Sequence, residues 1–272
     1  MQPVLRYGAS GPAVELVQRR LKEAGFPPGR IDGVFGRATE AALVAFQRAG
    51  ALLADGVVGP VTWGKLAGLG AGITDDLSER IDVAFVAEMF PATPLPSIRR
   101  HLQPVLAGLR SMDLLDKPML LMALATIRAE SEGFAPIEEQ VSRFNTSPDG
   151  EEFDLYDHRR DLGNLGPPDG RRFRGRGFVQ LTGRDNYRRY GETIGLGSQL
   201  VAEPHRALEP VLAGRLLAAF LADRQRPIKE ALLEGDLARA RRLVNGGRHG
   251  LERFVAAYRT GHATLPDEVW RD

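Results

Sequence analysis

One segment of the chain is apolar on almost every side, and this segment dictates a helical core. After Asp116 and Pro118, which suit the start of a helix, residues 119–127 read MLLMALATI. A helix this apolar has no face to offer to water, so other elements must surround it. The sequence therefore predicts a helix at residues 118–131 inside a helix-rich domain.

Further helical patterns lie on both sides of that segment. They fall at residues 77–89, 96–109, 185–195, 204–222, 227–233, 237–245 and 251–260. Residues 133–183 lack such a pattern and are dense in Gly, Pro, Asp and Arg. A loop this long inside a compact domain is usually functional or disordered.

A carboxylate stands where the apolar helix meets this loop. The apolar row of Ala123 and Ile127 continues to Glu130, since residues three or four apart share a helix face. Partial desolvation and the negative end of the helix dipole would both raise the pKa of Glu130, as a general acid requires. The alternative is an exposed glutamate in a frayed last turn.

A second carboxylate is available in the loop, because Glu138 and Glu139 follow Pro136. Two carboxylates on opposite sides of a glycosidic bond are the acid and base of most glycoside hydrolases. Acidic residues in loops are also commonly solvated, and the residues alone do not decide between the two glutamates.

The first 70 residues form a separate pattern of short helices and glycine loops. One helix follows Pro12, a second covers about 37–49, and a third follows Pro60. The second and third are entered through a repeated phrase, DGVFGRAT at 32–39 and DGVVGPVT at 55–62. The glycines permit positive φ, and each aspartate can bond to nearby backbone amides. Residues 64–72, GKLAGLGAG, then suggest a boundary: domains at 1–70 and 76–272, with a linker at 71–75.

The N-terminal segment resembles the three-helix peptidoglycan-binding domain. The resemblance rests on LRYG at residues 5–8, the paired phrases, and AFQ at 45–47. It implies a non-catalytic unit whose partner is bacterial peptidoglycan. We expect the wall to be contacted around residues 32–35 and 55–58.

The remainder of the chain resembles glycoside hydrolase family 19, which holds chitinases and phage endolysins with a lysozyme-like fold. Three ordered motifs carry the resemblance: AESEGF at 129–134 with Glu139, RGRGFVQLTGRDNY at 174–187, and LVNGG at 243–247. The expected fold class is mainly α (α+β with minor strands), a three-helix binding domain joined to a lysozyme-like helical catalytic domain.

The resemblance assigns catalytic roles by position. Glu130 matches the general acid, and Glu139 matches the carboxylate that orients the attacking water. Thr182 matches a cleft threonine that holds water or substrate.

Substrate contacts are implied for Gln180, Tyr187 and Asn245. Each has a structural alternative: Gln180 could pair backbone groups, Tyr187 could be core, and Asn245 could cap a helix. The motif departs from the family at Ala129, where a histidine is usual, and at Glu132, where glycine is usual. Glu132 brings a second negative charge near Glu130, or could itself take part.

Composition limits the remaining chemistry. The chain has no cysteine, which excludes disulfides and thiolate sites, and its net charge of +1 gives no general attraction to nucleic acid. A run of arginines could meet an anionic polymer or be a solvated loop: Arg171, Arg172, Arg174 and Arg176. The five histidines lack zinc-site spacing, and His158 beside Asp154 and Asp157 is the best remaining metal candidate.

The sequence thus favours a muramidase that cuts the β-1,4 bond of the wall glycan by inversion, without metal or cofactor. Chitin is the alternative substrate, and a metal-dependent amidase or peptidase or a non-catalytic wall-binding protein are the alternative classes. We expect a monomer without membrane insertion. Because the N-terminus lacks a secretory pattern, we expect synthesis in the cytoplasm and access to the wall after release, as for a phage endolysin, or by non-classical export.

Overall fold

The structure is a computed structural model that describes residues 3–50, 52–66, 81–245 and 250–265. The chain divides into two compact units, Met1–Glu79 with Pro266–Asp272, and Arg80–Leu265. The expected linker at 71–75 lies outside the described residues. The described part is mainly α-helical with two short strands, which confirms the predicted fold class. None of its helices is long and apolar enough to cross a membrane.

The N-terminal unit contains the three predicted helices, α1 (Pro12–Glu23), α2 (Arg37–Ala49) and α3 (Pro60–Leu66). Their apolar faces meet in one core with Leu5, Phe35 and Val58 from the connecting segments. Burial of these faces is the main force holding so small a unit together.

The first repeated phrase is closed by a fully buried glutamine of α1. The Gln18 Nε2 donates to Asp32 Oδ1 at 3.2 Å, to the Val34 carbonyl at 3.0 Å and to Thr39 Oγ1 at 3.0 Å. Its Oε1 accepts from the amides of Asp32 and Gly33. Gly33 has the positive φ that the turn requires.

Gln47 of α2 repeats this arrangement in the second phrase. Its Nε2 donates to Asp55 Oδ1 at 2.9 Å, the Val57 carbonyl at 2.9 Å and Thr62 Oγ1 at 3.3 Å, and its Oε1 accepts from the Gly56 amide. The polar residues of both phrases are thus engaged within the unit. Between them, the described loops leave apolar side chains such as Val34 facing outward.

The second unit begins with three helices, α4 (Val83–Met89), α5 (Leu95–Ser111) and α6 (Lys117–Glu130). The long loop that follows contains strand β1 (Ile137–Glu138), helices α7 (Asp154–Asp157) and α8 (Asp169–Arg172), and strand β2 (Arg176–Gly177). The helices after the loop are α9 (Arg184–Thr193), α10 (Gln199–Ala202), α11 (Pro210–Ala222), α12 (Gln225–Leu233), α13 (Leu237–Asn245) and α14 (Leu251–Thr264).

Helix α6 is the buried helix that its composition predicts. Residues 119–127 are all buried, and the Asp116 carboxylate caps the helix by accepting from the Met119 amide. Helix α14 packs against α6, while α5 and α11 cross so closely that a Cβ at Gly108 would collide with the backbone at Gly214. This packing fixes the C-terminal end of α6, and with it Glu130.

The long loop is ordered by a minimal sheet and by polar contacts. Strand β1 pairs antiparallel with β2, with Ile137 opposite Gly177 and Glu138 opposite Arg176. The pairing brings the segment after β1 next to the segment around β2, two motifs that are well separated in the sequence.

Candidate active site

An open cleft of about 390 Å³ lies at the end of α6, within the size range of ligand sites. Its described lining consists of Glu130, Ile137, Glu138, Glu139, Gln140, Tyr156, Gln180 and Thr182. Four of the six site residues expected from the sequence therefore meet at one cleft, namely Glu130, Glu139, Gln180 and Thr182.

Glu130 is the last residue of α6 and is largely buried, with a side chain 13% exposed. The exposed, frayed alternative does not fit this burial. The fully buried guanidinium of Arg241 in α13 donates from Nη2 to Glu130 Oε1 at 2.6 Å. This arginine lies 111 residues away in sequence and supplies a hydrogen bond and a positive charge that no local motif signalled.

The two positions at which the sequence departs from the expected motif, 129 and 132, have different surroundings. Ala129 is buried against Gly250, where even a Cβ would lie 2.8 Å from the Ala129 carbonyl oxygen and 3.1 Å from its Cβ. A side chain larger than alanine at position 129 has little room.

Glu132 is not among the described residues that line the cleft. Its side chain is 60% exposed and pairs with Arg253 at 2.9 Å and Arg128 at 3.5 Å. The hydrogen bond from Arg253, followed by the charge of Arg128, lowers the pKa of Glu132 below its ordinary value. The residue is a surface ion pair.

Glu139 is held by three donors from three parts of the loop. Tyr156 Oη donates to Oε1 at 2.8 Å, Asn145 Nδ2 donates to Oε1 at 3.1 Å, and the Gly175 amide donates to Oε2 at 3.0 Å. Burial, and then the bond to Glu139, raise the pKa of Tyr156 to about 12. The phenol is therefore a donor at any pH near neutrality.

Glu138 has a different environment from its neighbour. Arg176 Nε donates to Oε1 at 2.6 Å, and Arg174 Nη2 lies 2.8 Å from Oε2. Burial tends to raise the pKa of Glu138, but the hydrogen bonds from Arg174 and Arg176 outweigh it and the pKa is lowered. Two members of the arginine run thus neutralise Glu138, which leaves Glu139 as the better candidate for the second carboxylate.

Gly175 lies close to three polar side chains of the cleft. A Cβ at this position would lie 2.9 Å from Gln180 Oε1, 3.2 Å from Glu139 Oε2 and 3.2 Å from Thr182 Oγ1. The hydroxyl of Thr182 donates to the Gln180 carbonyl at 2.9 Å, so its oxygen keeps acceptor capacity. These three side chains therefore surround one small space.

Gln180 pairs backbone groups, as one of the two alternatives expects, and it also lines the cleft. Its Nε2 donates to the carbonyls of Ile137 at 2.9 Å and Gly177 at 3.1 Å, while its Oε1 faces Gly175 in the cleft. The backbone of Gln180 has φ 51°, a conformation uncommon for non-glycine residues and frequent at functional sites.

Tyr187 and Asn245 are not brought to the described lining. Tyr187 is fully buried, its hydroxyl donates to the Arg174 carbonyl at 2.8 Å and accepts from Arg176 Nη1 at 3.0 Å. The expected substrate contact is therefore corrected to a core role that supports the arginines of Glu138. Asn245 is the last residue of α13 and is half-buried; the residues after it, 246–249, lie outside the described part.

The two aspartates near His158 that the sequence offered as metal ligands make hydrogen bonds within the long loop. Asp154 accepts from the Ser147 amide and hydroxyl, and Asp157 accepts from the Gly170 amide at 2.8 Å. In the described ranges, no three His, Asp or Glu side chains converge as a metal site would require.

Residues 10–66 match the family model of a putative peptidoglycan binding domain. A zinc D-Ala-D-Ala carboxypeptidase of Streptomyces albus G is 47% identical over 66 residues, which are 23% of this chain and 25% of that protein. An N-acetylmuramoyl-L-alanine amidase of Bacillus licheniformis is 40% identical over 70 residues, 25% of this chain and 19% of that protein. The chain thus spans about a quarter or less of these curated relatives.

Among solved structures, chitinase C from Streptomyces griseus is 18% identical, with 71% of this chain and 82% of that chain covered at a TM-score of 0.48. A likeness of this strength carries no argument about the second unit, whose function must be argued from its cleft. For the first unit the match is direct: residues 10–66 form a peptidoglycan-binding domain.

Proposed function

We propose that the chain is a peptidoglycan hydrolase whose second unit cuts β-1,4 glycosidic bonds of the wall glycan by general acid–base chemistry. The observation that carries the proposal is the meeting of two carboxylates from separate segments, Glu130 and Glu139, at one open cleft. The attached peptidoglycan-binding domain supports the wall as the place of action.

In the proposed reaction, Glu130 gives its proton to the glycosidic oxygen as the bond from the anomeric carbon to that oxygen breaks. Arg241 orients the acid by its bond to Oε1. A water attacks the anomeric carbon from the opposite face and loses its proton to Glu139, which yields the inverted anomer. Proton exchange with solvent restores the starting state of both carboxyl groups.

The contacts of Glu139 suit a base that must hold a water in one direction. Its three donors fix the plane of the carboxylate, and Oε2 faces the same small space as Thr182 Oγ1. The water can donate to both oxygens and keep a lone pair for attack. Inverting enzymes separate their carboxyl groups by roughly 6.5–9.5 Å to admit this water.

We extend the proposal to the biological setting. The proposed place of action is the cell wall, and the proposed working form is a monomer. Chitin is the second candidate substrate, because the cleft chemistry would act equally on that polymer. The binding domain favours peptidoglycan.

Lysis of purified cell walls by Glu130→Gln and Glu139→Gln tests the assignment. Each variant should lose at least about 100-fold in rate, since each removes a proton-transfer group. Glu132→Gln is the matched control, because this glutamate lies two positions from Glu130 but outside the cleft, and it should keep its rate within about twofold. Undiminished lysis by both catalytic variants would remove the glycosidase assignment.

A further inference from the structure

Several exposed apolar side chains lie on the long loop that contributes residues to the cleft. Phe144 is 75% exposed, Val141 51% and Leu155 46%, and Ile137, at 37%, lines the cleft itself. Exposed single residues are normal on a protein surface, but several large apolar residues on one loop beside a cleft indicate a contact surface.

The loop that carries Phe144 is fixed to the catalytic carboxylate. The buried Asn145 accepts from the Ser142 amide at 2.8 Å, and its Nδ2 donates to the Gln140 carbonyl at 2.9 Å and to Glu139 Oε1 at 3.1 Å. Phe144 directly precedes Asn145 in the chain. Its Cα therefore lies within about 11 Å of the Glu139 carboxylate, the combined length of one Cα step, one asparagine side chain and the hydrogen bond between them. A ligand chain leaving the cleft can reach it.

The guanidinium of Arg143 packs against the aromatic ring of Phe144. Its guanidinium carbon lies 4.9 Å from the Phe144 ring centroid, and in the described part of the chain no carboxylate is within ion-pair distance of it. Arg174 and Arg176 differ, since both are occupied by Glu138. The loop therefore presents an unpaired cation together with an exposed aromatic face.

We propose that Arg143 and Phe144 bind the peptide stem of peptidoglycan while the glycan lies in the cleft. The inference rests on the proposed function and names the part of the wall polymer that makes this site selective. Stem peptides combine free carboxylates with small apolar side chains, which match a guanidinium beside an aromatic ring. Chitin has neither group.

Binding of two soluble fragments tests the proposal: a wall disaccharide that carries its peptide and the same disaccharide without it. The full chain is used with Glu130→Gln as background, so that no turnover occurs. Arg143→Ala should raise the Kd for the peptide-bearing fragment about threefold to fivefold, and Phe144→Ala about fivefold to tenfold. The Kd for the bare disaccharide should not change.

Arg188→Ala is the matched control, because Arg188 is an exposed arginine of the same unit, 58% exposed, paired only with Asp185 among described contacts. The N-terminal unit is identical in every variant, so a change in Kd between variants reports on the second unit. An unchanged Kd for the peptide-bearing fragment overturns the proposal, and so does an equal loss with the bare disaccharide. Because binding is measured without cleavage, this result is independent of which bond the enzyme cuts.

Discussion

Glutamine side chains hold loops in place in both units, but they differ in whether a polar atom of the side chain is left free to face a ligand. In the N-terminal unit the side chains of Gln18 and Gln47 are fully buried. The nitrogen and the oxygen of each side-chain amide form hydrogen bonds with groups of the adjoining repeated phrase. In the second unit the Nε2 of Gln180 donates to two backbone carbonyls, while its Oε1 remains at the cleft. A closed network builds a rigid surface for binding, and an open one supplies polar atoms for chemistry.

The same contrast separates the adjacent glutamates of the long loop. Glu138 is neutralised by two arginines, whereas Glu139 is oriented by uncharged donors and lies beside Thr182. Proximity in sequence says little about role, because contacts with distant segments give these two neighbouring carboxylates different partners.

The largest expected effect is the loss of a closed network. Gln18→Ala should lower the free energy of unfolding of the N-terminal unit by about 3 kcal/mol, since it strands buried partners of several hydrogen bonds. Binding to cell walls should fall with it, while turnover of a short soluble glycan stays unchanged. Denaturant unfolding and a pull-down on insoluble walls measure the two effects. A stable unit that still binds would contradict the structural role of the repeated phrase.

Gly175→Ala should sharpen the contrast from the other side. The added Cβ meets Gln180, Glu139 and Thr182 side chains but no backbone, so stability should change by less than about 1 kcal/mol. The rate should fall about 100-fold, because the Cβ displaces groups that must be placed within a fraction of an ångström. Thermal unfolding and wall lysis are compared on the same preparation. An unchanged rate would show that the space beside Gly175 is not part of the reaction site.

Tyr156→Phe should lower kcat about tenfold and leave KM nearly unchanged. The change removes one donor from Glu139 and keeps the ring, and a hydrogen bond to a charged group contributes about 1.5 kcal/mol or more. Because the pKa of Tyr156 is about 12, the ratio of the two rates should stay constant across neutral pH. If the ratio of wild-type to variant kcat varied across neutral pH, a group that titrates in that range would have to couple Tyr156 to Glu139.

Glu138→Gln should have the smallest effect, and it should be confined to stability. The pKa of Glu138 is lowered in the folded state from its ordinary 4.5, so its charge stabilises the fold above that pH and this contribution is lost as pH falls through the folded value. The wild type should therefore exceed the variant in Tm at neutral pH and lose that advantage as the pH falls from 4.5 through the lowered pKa of Glu138. Equal Tm values at both pH values would rule out the arginine pairing.

Periodic segments could be predicted from sequence, and aperiodic ones could not. The burial of α6 and the position of Glu130 follow from residue spacing, and the repeated phrases mark two helix starts. Arg241, Asn145 and Tyr156 carry no such signal, because they reach the carboxylates through tertiary contacts across distant segments. The sequence could not decide between a substrate contact and a core role for Tyr187, because its place within a motif says nothing about the direction of its side chain.

The central claim is that the second unit breaks a sugar–sugar bond with carboxylates alone. Mass spectrometry of the fragments released from purified peptidoglycan, with a metal chelator present, tests it most directly. We expect new reducing sugar ends, undiminished release in chelator and no new amino termini. New amino termini, or release abolished by the chelator, would contradict it and identify an amidase or peptidase.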